Sequence, residues 1–325
     1  MIQSATGRLT ARFSHNLVLD TAIVGLREGS VTGRPYRLPE PASAVPRTSR
    51  VTPVRGDSGE VVSLPGRAWI AASKFLARSQ SATLNAIKDE IRLAAEVAKR
   101  TGTPPPVVIY DLDGTLFDNR FRTLKILQEW LADTSDLPAN IREAFEGLRA
   151  PSIAYDLAGT FERLGLAADA AGVRDALASA SRYWKERFFT NGYMQYDRPH
   201  LGALAYAKAL HEAGATTVYL TGRDEPNMGA GTRDALRAAG FPMDERSHVI
   251  LKDRFETPDA EFKAKALPVI ARRGPVLATF DNEPANVVVF HDGFARATHV
   301  FVDTDYSTKP TPVTDGLSWV ADFRA

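Results

Sequence analysis

Two aspartates, Asp111 and Asp113, stand at the end of a short apolar run, Val107-Val108-Ile109-Tyr110, and are followed by Gly114, Thr115 and apolar Leu116-Phe117. Alternate side chains of an extended strand share a face, so both carboxylates start on one side, although a loop beginning there can redirect the second. Gly114 permits a tight turn and a close approach of backbone to a ligand. Paired carboxylates at the end of a buried strand are costly unless a metal ion or hydrogen-bond donors compensate them. The same residues also suit a plainer role, a helix N-cap with a solvated neighbour, because Asp and Thr are common there.

Three more apolar runs lead into residues of the same kind. Thr216-Thr217-Val218-Tyr219-Leu220 is followed by Thr221-Gly222-Arg223-Asp224, and Val276-Leu277-Ala278-Thr279-Phe280 by Asp281-Asn282-Glu283-Pro284. Between them, His248-Val249-Ile250-Leu251 is followed by Lys252, with Lys263 near the start of the next helix. The elements that must position these groups are strands alternating with helices. Helical patterns run over 201–213, 232–239 and about 258–272, and a last strand over His299-Val300-Phe301-Val302. Such alternation predicts an α/β, Rossmann-like three-layer fold, a parallel sheet covered on both faces. In these sheets ligands bind at the carboxyl ends of the strands, where the strand order switches.

Ahead of the first strand, Leu84, Ile87, Ile91, Ala94 and Ala98 recur at helical spacing, with Ser81 as the expected N-cap and Thr101-Gly102 before Pro104-Pro105-Pro106 as the stop. Residues 1–65 read as short β-like runs, Leu17 to Val24 and Val61 to Leu64, broken by prolines between Pro35 and Pro46. Gly56-Asp57-Ser58-Gly59 reads as a hairpin turn, and Arg55-Gly56-Asp57 as a chance surface tripeptide. Between the first two chemical segments, about 119 to 190, the pattern is helical. One face carries Phe121, Leu124, Leu127, Trp130 and Leu131, another Ile141, Phe145 and Leu148. Tyr183, Trp184, Phe188, Phe189, Tyr193 and Tyr196 crowd its end. Most are expected as core between helices, with room for one or two to face a substrate.

Composition narrows the function classes. Forty Lys and Arg against 39 Asp and Glu give no bulk charge for nucleic acid, and no nucleic-acid partner is expected. The absence of cysteine excludes disulfides, thiolate metal sites and a cysteine nucleophile. No apolar stretch reaches membrane-spanning length, and the run Leu17-Val18-Leu19 is too short for a signal-peptide core, so a cytoplasmic location is expected. The six histidines show no ligand spacing.

With four chemical segments in order after successive strands, the chain resembles the haloacid dehalogenase-type phosphohydrolases over about residues 104–305. The resemblance implies a core of residues 104–118 and 197–325, an α-helical cap inserted at 119–196, and an N-terminal extension, 1–103, whose partner is unknown. It implies Asp111 as the nucleophile that forms an aspartyl phosphate. Asp113 follows as general acid and then base, its carbonyl also binding Mg²⁺. Thr221 is implied as a hydrogen-bond donor to the phosphoryl oxygens, with Gly114, Thr115, Gly222 and Arg223 around the phosphate. A lysine neutralises charge there; the choice lies between Lys252 and Lys263, and the amino end of a helix suits Lys263. Asp281 completes the metal site. Asn282 replaces the expected second aspartate, so Glu283 either contributes to the metal through water or begins the next helix. Arg223 either binds phosphate or pairs with Asp224 at the surface.

The implied function is a Mg²⁺-dependent phosphatase acting on a small phosphomonoester. A phosphomutase or a nucleic-acid end phosphatase would use the same aspartyl phosphate. A reading from another class is a non-catalytic binding protein docking a partner through residues 1–100; intact Asp111 and Asp113 weigh against it.

Overall fold

The computed structural model describes residues 61–325 apart from 168, 169 and 171. The runs, prolines and turn expected before residue 61 lie outside the described residues.

Strand β1 (Ser63–Leu64), helix α1 (Gly66–Ala72), strand β2 (Lys74–Phe75) and helix α2 (Gln80–Thr101) lead into β3 (Val107–Tyr110). After β4 (Phe117–Asp118) come four helices, α3 (Arg120–Asp133), α4 (Ala139–Glu146), α5 (Leu157–Arg163) and α6 (Val173–Phe188), and the chain returns through β5 (Arg198–Pro199). Helix and strand then alternate: α7 (Ala203–Glu212), β6 (Thr216–Asp224), α8 (Glu225–Ala239), β7 (Ser247–Lys252), α9 (Asp259–Ala271), β8 (Val276–Asp281), α10 (Pro284–Gly293) and β9 (Thr298–Val302). Strands β10 (Thr311–Pro312) and β11 (Asp315–Val320) close the chain.

Seven strands form one parallel sheet in the order β2-β11-β9-β8-β3-β6-β7. All four residues of β3 are buried, as an apolar strand at the centre of a doubly covered sheet requires. Val108 and Tyr110 face a core built with Leu84, Ile87 and Ile91 of α2 and Tyr206 of α7; Val107 and Ile109 face Leu267 and Ile270 of α9 and Phe290 of α10. This is the three-layer α/β arrangement that the alternation of strands and helices predicts. From β3 the chain steps to β6 on one side, while β8 lies on the other, so the strand order reverses beside β3.

Helices α3–α6 enclose a core of their own, centred on Trp130, Phe145 and Phe161. Where this stretch leaves and rejoins the sheet, β4 pairs with β5 in antiparallel register, Phe117 with Pro199 and Asp118 with Arg198. Residues 63–101 are built into the same body: β2 extends the sheet beside β11, and α2 covers one face. No helix among the described residues is long and apolar enough to cross a membrane.

Several elements differ from the sequence-based expectation. Ser79, not Ser81, caps α2, accepting a hydrogen bond from the Ala82 amide. Strand β6 continues through Thr221-Gly222-Arg223 to Asp224, whose carboxylate caps α8 at the Asn227 amide, so α8 begins seven residues earlier than its apolar periodicity alone suggests. Phe121 is exposed, while Leu127 and Trp130 of the expected face are buried with Leu124 and Leu131 packed against them, and Arg122 and Ile126 are buried as well.

Candidate active site

Sheet register brings the first two acids together. Tyr110 of β3 is paired with Phe280 of β8, and the next residue on each strand is an aspartate, Asp111 and Asp281. The Asp111 amide donates to the Phe280 carbonyl at 3.0 Å, which holds the two strand ends level. Lys263, in the second turn of α9, is fully buried between them. Its Nζ donates to Asp111 Oδ1 at 2.7 Å and to Asp281 Oδ2 at 2.6 Å. The other Asp281 oxygen accepts from the Glu283 amide (2.9 Å) and Asn286 Nδ2 (3.2 Å).

One ammonium faces two buried carboxyl groups, so ionising both would leave the cluster with excess negative charge. Burial pushes Asp111 up to about 8, with the charge of Asp281 adding and Lys263 opposing. Burial also disfavours the Lys263 charge, but the two carboxylates outweigh it and hold the lysine above its ordinary value.

Asp113 is turned elsewhere. The loop bends at Gly114, whose φ is +77°, and a Cβ there would overlap the side-chain amide of Asn282. The Asp113 carboxylate meets two arginines: Arg223 Nε and Nη2 donate at 2.7 and 2.9 Å, and Arg122 Nη2 at 2.8 Å. Both arginines are also held by buried Asp197, through Arg122 Nε at 2.8 Å and Arg223 Nη2 at 2.7 Å. Arg122 reaches the Phe188 carbonyl and lies 4.3 Å from the centroid of that ring. Arg223 Nη1 donates to Thr232 Oγ1 at 3.1 Å. Two acids and two arginines thus form a nearly neutral square. Burial alone would raise Asp113, yet Arg223 and Arg122 together hold it well below the usual carboxylate range.

Arg223 is 2% exposed and pairs with Asp113 and Asp197; Asp224, the surface partner considered from sequence, is the cap of α8 instead. Thr221 is buried beside it, its Oγ1 accepting from the Arg223 amide. Gly222 lies so close to Asp259, at the start of α9, that a Cβ would overlap that carboxylate.

The remaining expected residues do other work. Lys252 is fastened to its own loop, donating to the Phe255 and Thr257 carbonyls (both 3.0 Å) and to Asp259 Oδ1 (2.9 Å). It does not reach Asp111 in the way Lys263 does, because the loop's carbonyls and Asp259 already satisfy its ammonium. Thr115 is fully buried against Asn282, donating to its Oδ1 at 2.9 Å and accepting from its amide at 3.1 Å. It therefore ties the loop after β3 to the loop after β8 and offers nothing to a phosphate. Asn282 completes that tie by donating to the Asp305 carbonyl. Glu283 is directed to Ser307, accepting from its amide at 3.0 Å and its hydroxyl at 2.7 Å, and burial raises its pKa.

Two residues of the site escaped the sequence reading, Arg122 and Asp197. Arg122 left a trace: it is in phase with Ile126 and Trp130, four and eight residues on, so a charge falls on a buried helical stripe. Asp197 left none, since one acid in a loop has no period.

Above these groups a cavity of ≈ 770 Å³ opens between the strand ends and the inserted helices. Its floor holds Asp111, Asp113, Thr221 and Arg223; its walls include Ile153, Leu157, Leu177, Trp184, Phe188 and Phe189.

Among the described residues no three acidic or histidine side chains cluster as a ready-made metal cage. A hard divalent cation nonetheless fits the chemistry of the floor. Two level carboxylates with one ammonium between them lack positive charge, and Mg²⁺ takes few protein oxygens while keeping several waters. Asp111 lines the cavity and is the side chain open to such an ion; Asp281 lies buried beside it with both oxygens held by Lys263, the Glu283 amide and Asn286, and Glu283 is engaged with Ser307.

No protein-family model and no curated protein sequence matches the chain. Among solved structures, the chain is similar to CbbY from Rhodobacter sphaeroides in complex with phosphate, at 16% identity and a TM-score of 0.38, covering 67% of this chain and 94% of that one. A HAD-superfamily hydrolase of subfamily IA from Geobacter sulfurreducens is similar at 16% identity and a TM-score of 0.36, over 67% and 96% of the two chains. A haloacid dehalogenase-like family hydrolase from Streptococcus pneumoniae is similar at 11% identity and a TM-score of 0.35, over 62% and 92%. The fold described above rests on strand order and register, not on these likenesses.

Proposed function

We propose that the chain is a phosphomonoester hydrolase of the haloacid dehalogenase type, acting through an aspartyl phosphate on Asp111. The observation that carries this reading is the buried Lys263 ammonium shared by Asp111 and Asp281 at the ends of adjacent central strands. A nucleophilic carboxylate and a phosphoryl dianion repel each other, and a fixed cation bonded to the carboxylate lowers that barrier. Mg²⁺, held by the Asp111 and Asp281 carboxylates and the Asp113 carbonyl, supplies further charge neutralisation when bound.

An Asp111 oxygen attacks phosphorus, the ester P–O bond breaks, and the departing alcohol oxygen takes a proton. Water then attacks the aspartyl phosphate, giving up a proton and releasing inorganic phosphate. Asp113 accepts the proton in this second step, as the carboxylate its arginines maintain. To donate a proton in the first step it must be relieved of them. A phosphoryl group with three oxygens near Arg223 competes for the same N–H groups and lets Asp113 become protonated.

Phosphate release from a panel of phosphomonoesters, with Mg²⁺ and with chelator, tests the reading. Turnover is expected with Mg²⁺ alone; Asp111→Asn should fall to background, and Asp113→Asn should lose about 10²–10⁴-fold. Activity that survives Asp111→Asn excludes this nucleophile, and inactivity across the panel excludes the hydrolase.

A further inference from the structure

We infer that the substrate is a phosphomonoester whose alcohol carries a flat aromatic group, bound against the wall formed by Trp184, Phe188 and Phe189. The inference rests on the proposed phosphohydrolase reading and concerns the part of the substrate that this reading leaves open.

The cavity of ≈ 770 Å³ is far larger than a phosphate and lies within the range that holds a drug-sized organic group. Its polarity is divided. Charged groups gather on the floor and recur at Asp156 and Lys185 on the inserted helices, whereas Trp184, Phe188 and Phe189 form one continuous aromatic wall with Ile153, Leu157 and Leu177 near it. The aromatic wall is fixed before any ligand arrives. Trp184 and Phe188 stack with centroids 4.3 Å apart, and Phe189 packs edge-on to both, at 5.5 and 5.0 Å. Trp184 Nε1 donates to Thr123 Oγ1 at 3.1 Å, which sets the plane of the indole.

Trp184 and Phe189 are only partly buried, so ring surface remains for a ligand. The wall also joins the floor directly, because Arg122 covers the Phe188 ring and donates to Asp113. A group leaving from phosphorus above Asp111 therefore extends along rings. Against the ring faces themselves, hydroxyls of a sugar or polyol would lose water without a partner, while an aromatic ring would gain stacking and apolar burial.

The test compares kcat/KM for 2-(1-naphthyl)ethyl phosphate and glycerol 3-phosphate with Mg²⁺ present. Both are primary alkyl esters, so leaving-group chemistry is closely matched and the ratio reads the wall. We expect a preference of about 30- to 100-fold for the naphthyl ester, expressed mainly in KM. Trp184→Ala should cut that preference about tenfold and Leu177→Asn should reduce it, whereas Trp184→Phe should keep most of it. Thermal melting confirms that each variant is folded. An independent readout is quenching of tryptophan fluorescence by the non-hydrolysable naphthylethyl phosphonate in wild type and its weakening in Trp184→Phe. Comparable hydrolysis of both esters overturns the inference and leaves the phosphatase reading standing. Hydrolysis of neither, nor of any other phosphomonoester, overturns both.

Discussion

Asp111 and Asp113 stand two residues apart and are driven in opposite directions by their surroundings. Asp111 shares one lysine with Asp281 and is raised to about 8; Asp113 faces two arginines and is lowered. For Asp113 the linkage is that of a stabilising carboxylate, present in full above the ordinary value of 3.8 and lost only as pH falls towards the lower native value. For Asp111 the sign is reversed. Between pH 4 and 8 the native chain retains a proton that the unfolded chain releases, so metal-free stability should fall across that window. Thermal melting of chelated protein from pH 5 to pH 8 should show the decline, and Asp111→Asn should flatten it. Added Mg²⁺ should flatten it too, by replacing the missing positive charge. A rise in Tm over the same interval would show that Asp111 is already ionised in the native state.

At the scale of elements, the loops after β3 and β8 work as one unit. Thr115 and Asn282 exchange hydrogen bonds, Thr304 donates to the Gly114 carbonyl, and Gly114 makes room for the Asn282 amide. Gly114→Ala should cost about 1–2 kcal/mol from the left-handed backbone alone, and more from the overlap with Asn282. Thermal melting and phosphate release measure the two consequences, and a neutral result would show that the loops move independently. These loops also mark how far the sequence could be read. Apolar runs ending in acids announced β3 and β8, and their order located Asp111, Asp281 and Lys263. Helix α10 was one of two readings open at Glu283, which stands at its N-cap with Pro284 in the first turn, although Asn286-Val287-Val288-Val289-Phe290 looks strand-like. Strand β11 was hidden by Gly316 and by its solvent-facing residues, and two-residue β2 is too short to carry a pattern. Side-chain directions were beyond reach: nothing in the order Asp281-Asn282-Glu283 says that Glu283 turns to Ser307 and Asn282 to Thr115.

Across the whole molecule, the inserted helices are tied to the sheet where they depart and where they return. Arg122 stands near the start of α3 and Asp197 just before β5, and each is bonded to the other and to the floor of the site. Removing one member leaves a buried charge with too few partners. Arg122→Met should therefore destabilise by about 3–5 kcal/mol, while Arg122→Met combined with Asp197→Leu should recover part of that loss. Urea unfolding of the two single variants and the pair measures the coupling; strictly additive losses would show that the two side chains act separately.

The pairing of Tyr110 with Phe280 has a consequence for how such a molecule can change. Because Asp111 and Asp281 are aligned by main-chain bonds, their spacing is indifferent to which side chains fill the helical lobe, and that lobe has its own interior. Randomising the partly buried Leu177 and Trp184 should thus yield many folded proteins of altered appetite, whereas a one-residue slip between β3 and β8 would point one acid away from the other and leave none that works.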